Sequence, residues 1–312
     1  MAERTLANHS DRLNAINIYP VADADTGTNL YQTVRSAAQA AANLEPCDVG
    51  ATVAAAGRAA MEQARGNSGT LFSVFLSAMA EPLAGQSRLS APLLAAALQR
   101  SQLRSWSALS EPVPGTMLSV LEAAADAASI MENSLNGDDS NLALAQTLNA
   151  AVEGARAAVV LTESQLGVLA DAHVVDAGGV GLLLILDCLR SVVLGEPLQE
   201  DLLDGLSGYA VQDPNIALTM PEQVGVEVMC TITLTPLAAA GLRMTLDELG
   251  DSVIMSAVSE EADDTGSYPW RVHVHVVSPT VALDAIQAVG DPNNVSISAL
   301  SPNAPTDAHD LL

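Results

Sequence analysis

The first 195 residues consist of long alanine- and leucine-rich stretches, broken at intervals by glycine, proline and asparagine. These stretches contain few β-branched runs, and their apolar residues recur at helical spacing, so we expect a helical domain. The short loops between the helices favour antiparallel neighbours in a closed bundle. The predicted helices cover residues 2–15, 29–43, 50–65, 68–82, 91–106, 115–134, 140–160 and 179–194.

The character of the sequence changes after Gly195. An acidic, loop-rich stretch comes first, and beyond it β-branched residues alternate with polar ones. We expect a split βαβ sandwich made of strand 226–234, helix 236–249, strands 252–258 and 270–277, helix 279–289 and strand 294–299. The predicted organisation is a helical domain at 1–197, a linker at 198–220, an α/β domain at 221–301 and a tail at 302–312.

Charge and cysteine content exclude several classes of protein. The 37 acidic and 12 basic residues give a net charge of -25, which argues against nucleic acid or an anionic membrane surface as a partner. All twelve basic residues are arginine, so the chain has no P-loop lysine, protein-kinase strand lysine or Schiff-base lysine. Three cysteines at no framework spacing indicate a reducing compartment. No targeting or membrane-spanning segment is visible, and we expect a cytoplasmic protein.

The segment Asn17–Leu30 is the strongest candidate for a chemical site. Asp23 and Asp25 lie one residue apart in a turn bounded by proline and glycine, and two carboxylates so placed suit Mg²⁺ that also holds phosphate oxygens. An apolar-periodic run follows, so the N-terminus of a helix, with unpaired N–H groups, would face the phosphate. The alternative is an acidic turn followed by a helix cap at Thr28.

Two further motifs lie at junctions between predicted helices. Residues 65–70 form a glycine-flanked turn in which Ser68 can cap the next helix and the glycines allow an anion to approach the backbone. Residues 112–118 place Thr116 at a cap position and Met117 either in the core or against an adenine. Each motif alone is also compatible with an ordinary interhelical turn.

The last junction is residues 174–181, where Asp176 precedes a pair of glycines and where a capped helix start is the alternative interpretation. Together the four junctions resemble, in the same order, the four signature loops of the dihydroxyacetone kinase L-type (DhaL) domain. They are most similar to the loops of its relatives in fatty acid kinases. The resemblance extends over about 190 residues and implies an eight-helix barrel that binds ATP at one end.

The resemblance also implies roles for individual residues. Asp23 and Asp25 would hold Mg²⁺, as two ions, on the phosphates of ATP. Asn17 would be a weak third ligand where classical dihydroxyacetone kinase subunits have an acidic residue. The implied nucleotide-binding residues are Thr26, Gly27, Thr28, Asn29, Gly66, Asn67, Ser68, Gly69, Gly115, Thr116, Met117, Asp176, Ala177, Gly178 and Gly179.

Three positions depart from the family pattern. Ala22 stands where the family usually has proline, and Ala24 where it usually has glycine. If position 24 needs a positive φ, the methyl group costs on the order of 1 kcal/mol. Val180 replaces a usual glutamine and so removes a polar contact near the nucleotide.

The second domain contains a candidate metal site. Strand alternation puts His273 and His275 on one face and their valine neighbours on the other. Fatty acid kinases carry a similar His-Val-His strand, a Leu-Gly-Asp-Ser segment and an upstream cysteine, which corresponds here to Cys230. We therefore expect a structural zinc site formed by Cys230, His273 and His275. The alternative is a pair of polar-face histidines and a separate buried thiol.

The expected function is an ATP- and Mg²⁺-dependent kinase of the fatty acid kinase type, which phosphorylates a fatty-acid carboxylate presented by a fatty-acid-binding carrier protein. One alternative is a glycerone (dihydroxyacetone) kinase-like phosphotransferase. Another is a nucleotide-binding regulatory or scaffold protein without turnover. The C-terminal domain that fatty acid kinases use in dimerisation and carrier binding is not found here, so we expect either a naturally short product or a fragment. A homodimer is a further expectation.

Overall fold

The computed structural model describes residues 1–44, 48–210, 224–259 and 261–300. Cys47, the end of the predicted linker and the predicted tail lie outside these ranges. The chain divides into two compact units. The first comprises Met1–Pro20, Ala24–Trp106 and Val113–Met220, and the second comprises Val21–Asp23, Ser107–Pro112 and Pro221–Leu312.

The N-terminal part of the chain is helical, as predicted. Its helices within the described ranges are α1 (Ala2–Ala15), α2 (Thr26–Ala42), α3 (Val49–Gln63), α4 (Gly66–Leu83), α5 (Ala91–Ala108), α6 (Met117–Leu135), α7 (Asn141–Gln165), α8 (Gly167–Ala172) and α9 (Ala177–Leu194). The six-residue α8 was not predicted, because so short a segment shows no periodicity. The closed eight-helix barrel stays a prediction.

The most apolar helix of the first unit is α9. By length and composition alone it could cross a membrane, but 72% of it is buried inside the protein, which is typical of a core helix. Its two charged side chains are buried as a pair, since Arg190 Nε donates to Asp187 Oδ1 at 2.6 Å. Arg190 also donates to Glu196 Oε2 at 2.7 Å, so this buried cation has more than one partner.

The second unit contains a four-stranded antiparallel sheet in the order β2-β3-β1-β4. Its elements are β1 (Val226–Leu234), α10 (Pro236–Leu249), β2 (Gly250–Ala257), β3 (Tyr268–Val276), α11 (Pro279–Gln287) and β4 (Asn293–Ala299). The predicted strand-helix-strand-strand-helix-strand succession is confirmed. Thr235 caps α10 by accepting from Ala238 N, and prolines occupy the first turns of both helices, where no N–H is needed.

The two faces of this sheet differ in chemistry. One face packs with α10 and α11 in a core that includes Val228 and Cys230 of β1 and Val272 and Val274 of β3. Because successive side chains alternate between faces, the residues between them lie on the other side of the sheet. That side carries the pair Glu227 and His275 and the pair Met229 and His273, which face each other across β1 and β3.

Candidate nucleotide and metal sites

The four motif loops supply the N-terminal turns of α2, α4, α6 and α9, and the structure brings these turns together. Gly66, at the start of α4, lies directly against the side-chain amide of Asn29 in α2. A methyl group on Gly178 of α9 would lie 3.0 Å from Ser68 Oγ and 3.4 Å from Met117 Cβ. The start of α4 therefore lies between those of α2 and α9, and α9 is adjacent to α6.

This convergence favours an anionic ligand. Each helix N-terminus presents backbone N–H groups without intrahelical partners and carries a partial positive charge. Several such ends at one place can stabilise a polyanion such as a chain of phosphates without lysine side chains. Glycines at the contacts keep the helix starts close together, and a side chain at Gly178 would press against Ser68.

Asp176 joins two of these helix starts. As the N-cap of α9, its Oδ2 accepts from Gly179 N at 2.6 Å. It also accepts from the backbone N–H of Met117 at the start of α6. Burial raises the pKa of Asp176 to about 7, against the opposing effect of these two N–H donors. The carboxyl group is thus poised between its neutral and charged forms at neutral pH.

Two polar atoms in the second motif are buried and have no hydrogen-bond partner within the described part of the chain. They are Asn67 Oδ1 and Thr70 Oγ1, both in the first turns of α4. A buried polar atom without a protein partner costs free energy, and it commonly marks a place where water or a ligand binds. Both atoms lie in the motif to which the family resemblance assigns phosphate contacts.

The start of α2 is capped from a different helix. Asp25 is its N-cap residue, but its side chain makes no capping bond. Instead Asn14 of α1 accepts from Gly27 N at 2.7 Å and from Thr28 N at 3.1 Å. These two N–H groups are therefore not the unpaired donors that the sequence led us to expect. Ala24, in the same loop, has a φ of 56°, which is the left-handed conformation considered above.

The predicted caps are partly confirmed and partly wrong. Thr116 caps α6, accepting from Leu118 N, and Asp176 caps α9. Helix α2 begins at Thr26 and α4 at Gly66, so Thr28 and Ser68 lie inside the first turns and cap neither helix. Their hydroxyl groups therefore stay near the convergence point without serving as caps.

The second unit contains a cluster of three buried side chains on the face of the sheet opposite its core. Glu227, His273 and His275 each offer a ligand atom, and these atoms lie within 4.8 Å of one another. His273 Nδ1 is 2.9 Å from the carbonyl oxygen of Ser252, so this nitrogen carries the ring proton. His273 Nε2 lies 2.8 Å from Glu227 Oε1.

Two acceptor atoms at that distance repel each other unless a cation lies between them. Either a shared proton or a metal ion serves, and a carbonyl that orients the far nitrogen of a histidine is typical of metal ligands. Burial lowers the pKa of His275 and so favours its neutral ring, against the opposing effect of Asp251, whose Oδ1 lies 3.6 Å from His275 Nδ1. The donor set of two imidazoles and one carboxylate suits zinc.

Cys230 does not join this cluster, so the predicted ligand set is corrected. The residue belongs to the core cluster on the opposite face of the sheet. Burial also raises the pKa of its thiol to about 11, which keeps it protonated at neutral pH. Glu227, and not Cys230, lies beside the two histidines.

Sequence reasoning missed two residues of these sites. Glu227 could have been found, because alternation along β1 puts Cys230 with the valines and Glu227 on the histidine face. No pattern in the sequence pointed to Asn14. It is a polar residue at the end of an amphipathic helix, and only the packing of α1 against the start of α2 gives it a role.

Comparison with known proteins agrees with both parts of the chain. The family model for the DAK2 domain matches residues 20–191. The family model for the FakA-like middle domain of fatty acid kinases matches residues 223–305.

Curated relatives give the same picture. Protein YloV of Bacillus subtilis (strain 168) is 27% identical over 298 residues, covering 92% of this chain and 51% of its own length. An uncharacterized protein of Staphylococcus aureus (strain USA300) is 30% identical over 196 residues, covering 63% of this chain and 35% of its own length. The chain thus spans about half the length of YloV and about a third of the length of the Staphylococcus aureus protein. It belongs to the DAK2 domain family and carries a FakA-like middle domain.

Proposed function

We propose that this chain is the ATP-binding part of a phosphotransferase of the fatty acid kinase type. The observation that carries the proposal is the convergence of the starts of α2, α4, α6 and α9, linked by the contacts of Gly66, Ser68 and Gly178. A chain without lysine needs another source of positive charge for a triphosphate, and a bound metal ion together with the partial positive charge of the helix N-termini would supply it.

Asp23 and Asp25 are the proposed Mg²⁺ ligands, with Asn17 as a weak third. When bound, the ion would neutralise charge on the phosphates of ATP. Both aspartates are half-buried and flank Ala24, next to the first turn of α2. The first turns of α2 and α4 would contact the phosphates, and Thr116, Met117 and the 176–179 segment would contact the adenosine.

The role of the protein in such a reaction is positioning. Phosphoryl transfer needs its reactants held in line and its charge neutralised, and no covalent enzyme intermediate is required. Asp176 ties the starts of α6 and α9 together, so it would keep the adenosine contacts in register. The proposed acceptor is a fatty-acid carboxylate presented by a carrier protein in the cytoplasm, and the product is an acyl phosphate.

The second unit favours this acceptor over the glycerone kinase alternative. Its match to a FakA-like middle domain relates the chain to the fatty acid kinase branch of the family. Glu227, His273 and His275 would hold a structural zinc ion there. The regulatory or scaffold alternative rests on the departures at Ala22 and Ala24 in the proposed metal loop, which would impair turnover. The backbone of Ala24 has the left-handed conformation, in which its methyl group is strained.

The proposal is tested by calorimetric titration of the purified protein with ATP, with and without Mg²⁺. We expect Mg²⁺-dependent binding in the wild type, and loss of that dependence in the Asp23→Ala plus Asp25→Ala variant. The control is Glu153→Ala plus Asp264→Ala, which removes two exposed carboxylates elsewhere. Absence of ATP binding to the wild type would refute the nucleotide site.

The acceptor needs a separate assay. ATP consumption is measured with a fatty acid on its carrier protein, and in parallel with dihydroxyacetone. Turnover only with the loaded carrier supports the fatty acid kinase assignment, and turnover only with dihydroxyacetone supports the alternative. Tight nucleotide binding without turnover in either assay would favour a regulatory or scaffold role.

A further inference from the structure

Asn14 makes three hydrogen bonds from the last turn of α1 to the first turn of α2. Its Oδ1 accepts from Gly27 N at 2.7 Å and from Thr28 N at 3.1 Å. Its Nδ2 donates to Thr28 Oγ1 at 3.0 Å. One amide side chain therefore uses both its acceptor and its donor on a single helix start.

The packing around this contact is close. A methyl group on Gly27 would overlap the carbonyl oxygen of Ser10 and would lie 2.9 Å from both Asn14 Oδ1 and Leu13 Cβ. Glycine at position 27 thus allows α1 to reach the start of α2. The geometry of the amide relative to Thr28 is determined by this packing and not by a flexible surface contact.

The donor bond has a consequence for the hydroxyl group of Thr28. Because Thr28 Oγ1 accepts from Asn14, its own hydrogen must point elsewhere. Within the described part of the chain, this hydroxyl donates to no protein acceptor. It is half-buried, in the first turn of a helix whose start meets that of α4. The hydroxyl is therefore held as a donor, and a donor is what a phosphate oxygen requires.

The acceptor bonds have a second consequence. An aspartate at an N-cap position usually accepts from the N–H groups of its own first turn. Here Asn14 takes those N–H groups, and Asp25 makes no side-chain capping bond. Capping of α2 is thus separated from the carboxylate next to it.

We propose that Asn14 is a positioning residue, which caps α2 in place of Asp25 and orients the Thr28 hydroxyl as a hydrogen-bond donor to a phosphate of Mg-ATP. This inference rests on the proposed nucleotide site and adds to it a residue that does not itself touch the ligand. A purely structural cap would affect stability alone, so the two roles can be separated by experiment.

The test is Asn14→Asp. The carboxylate keeps the oxygen that accepts from Gly27 N and Thr28 N, but it replaces the Nδ2 donor with an acceptor that captures the Thr28 hydrogen. We expect the melting temperature to be retained, because aspartate caps helices as well as asparagine does. Mg-ATP affinity, measured by calorimetry, should fall about tenfold, as for loss of one hydrogen bond to a charged group.

Two further variants separate this effect from that of the added charge. Asn8→Asp adds the same charge at an exposed position of α1, and its affinity should equal that of the wild type. Thr28→Val removes the hydroxyl and keeps the shape of the side chain. On that background Asn14→Asp should cause little further loss of affinity.

The remaining outcomes each contradict the proposed role of Asn14. If Asn14→Asp lowers affinity equally in the wild-type and Thr28→Val backgrounds, the inference is overturned, because charge alone would then explain the loss. Wild-type affinity in Asn14→Asp would overturn it as well, and would leave the proposed function intact. If the wild-type protein does not bind Mg-ATP, the proposed function fails and the role of Asn14 in it fails too.

Discussion

At the scale of single residues, the loop that joins α1 and α2 carries local strain at Ala24. Ala24 has a φ of 56°, a region that glycine enters freely and that places the Cβ of other residues too close to the backbone. The resemblance to fatty acid kinases implies glycine at this position. The loop therefore keeps the backbone shape of a glycine turn although alanine occupies the position, and the methyl group makes that shape strained.

The strain predicts the effect of Ala24→Gly. We expect this change to raise the free energy of unfolding of the helical unit by about 1 kcal/mol, since the left-handed conformation no longer bears a Cβ. Urea denaturation followed by circular dichroism measures it. Ala38→Gly, at an exposed position inside α2, is the matched control and should lower stability by about 1 kcal/mol. Destabilisation by Ala24→Gly would show that the loop does not need a positive φ.

Residue types alone allowed the sequence analysis to identify the loops but not every contact within them. Asp176 and Thr116 were predictable as caps, because the acceptor and the N–H it serves lie within three residues of each other. The cap of α2 was not predictable, since Asn14 lies 13 residues before Gly27 and belongs to a different helix. The start of α2 at Thr26 was missed for the same reason.

At the scale of elements, the sheet of the second unit shows how alternation decides ligand identity. The succession of elements and the faces of β3 follow from local patterns and were predicted. The candidate ligand set combines residues of two strands, so it depends on which face of β1 meets the histidine face of β3. Cys230 has suitable chemistry for zinc, but its side chain lies on the core face of the sheet. Glu227 also has suitable chemistry, and its side chain lies on the histidine face.

Metal content distinguishes these two residues. The protein is purified in the presence of zinc and analysed by inductively coupled plasma mass spectrometry after dialysis. We expect Glu227→Gln to lose most of the bound metal, since it removes a charged ligand and weakens binding at least about tenfold. Cys230→Ala should retain metal and lose only stability, because it leaves a small cavity in the core.

The reverse outcome would restore the ligand set expected from the sequence. Loss of metal in Cys230→Ala with retention in Glu227→Gln would mean that the sheet face seen here is not the binding face. Circular dichroism of both variants verifies that each still folds. Absence of metal from the wild-type protein would refute the site and leave a shared proton between His273 and Glu227 as the cation.

At the scale of the whole molecule, charge is the dominant property that sequence alone determines. Acidic side chains outnumber basic ones by 37 to 12, which gives the net charge of -25. Several ion pairs in the described ranges lie on the surface, such as Arg88 with Asp139, and surface pairs contribute little individually. Repulsion among the remaining carboxylates must therefore oppose both the compact fold and the approach of an anionic nucleotide.

This balance predicts that salt stabilises the protein. Screening shortens the range of repulsion from about 30 Å at 0.01 M ionic strength to about 3 Å at 1 M, whereas surface ion pairs have little to lose. We expect the melting temperature without ligand to rise by a few degrees between about 0.01 M and 0.5 M sodium chloride, as for a gain of about 1 kcal/mol. Differential scanning calorimetry measures the shift.

A charge-reduced variant tests whether repulsion is the cause. Asp11→Asn, Glu153→Gln and Asp264→Asn neutralise three exposed carboxylates that lie far apart in the sequence. If repulsion opposes folding, this variant has a higher melting temperature than the wild type at low salt. The difference in melting temperature shrinks at high salt, because screening then weakens the repulsion in the wild type as well. A melting temperature that falls with salt in the wild type would instead mean that ion pairs outweigh repulsion. The chain would then owe its stability to its few arginines and not to burial alone.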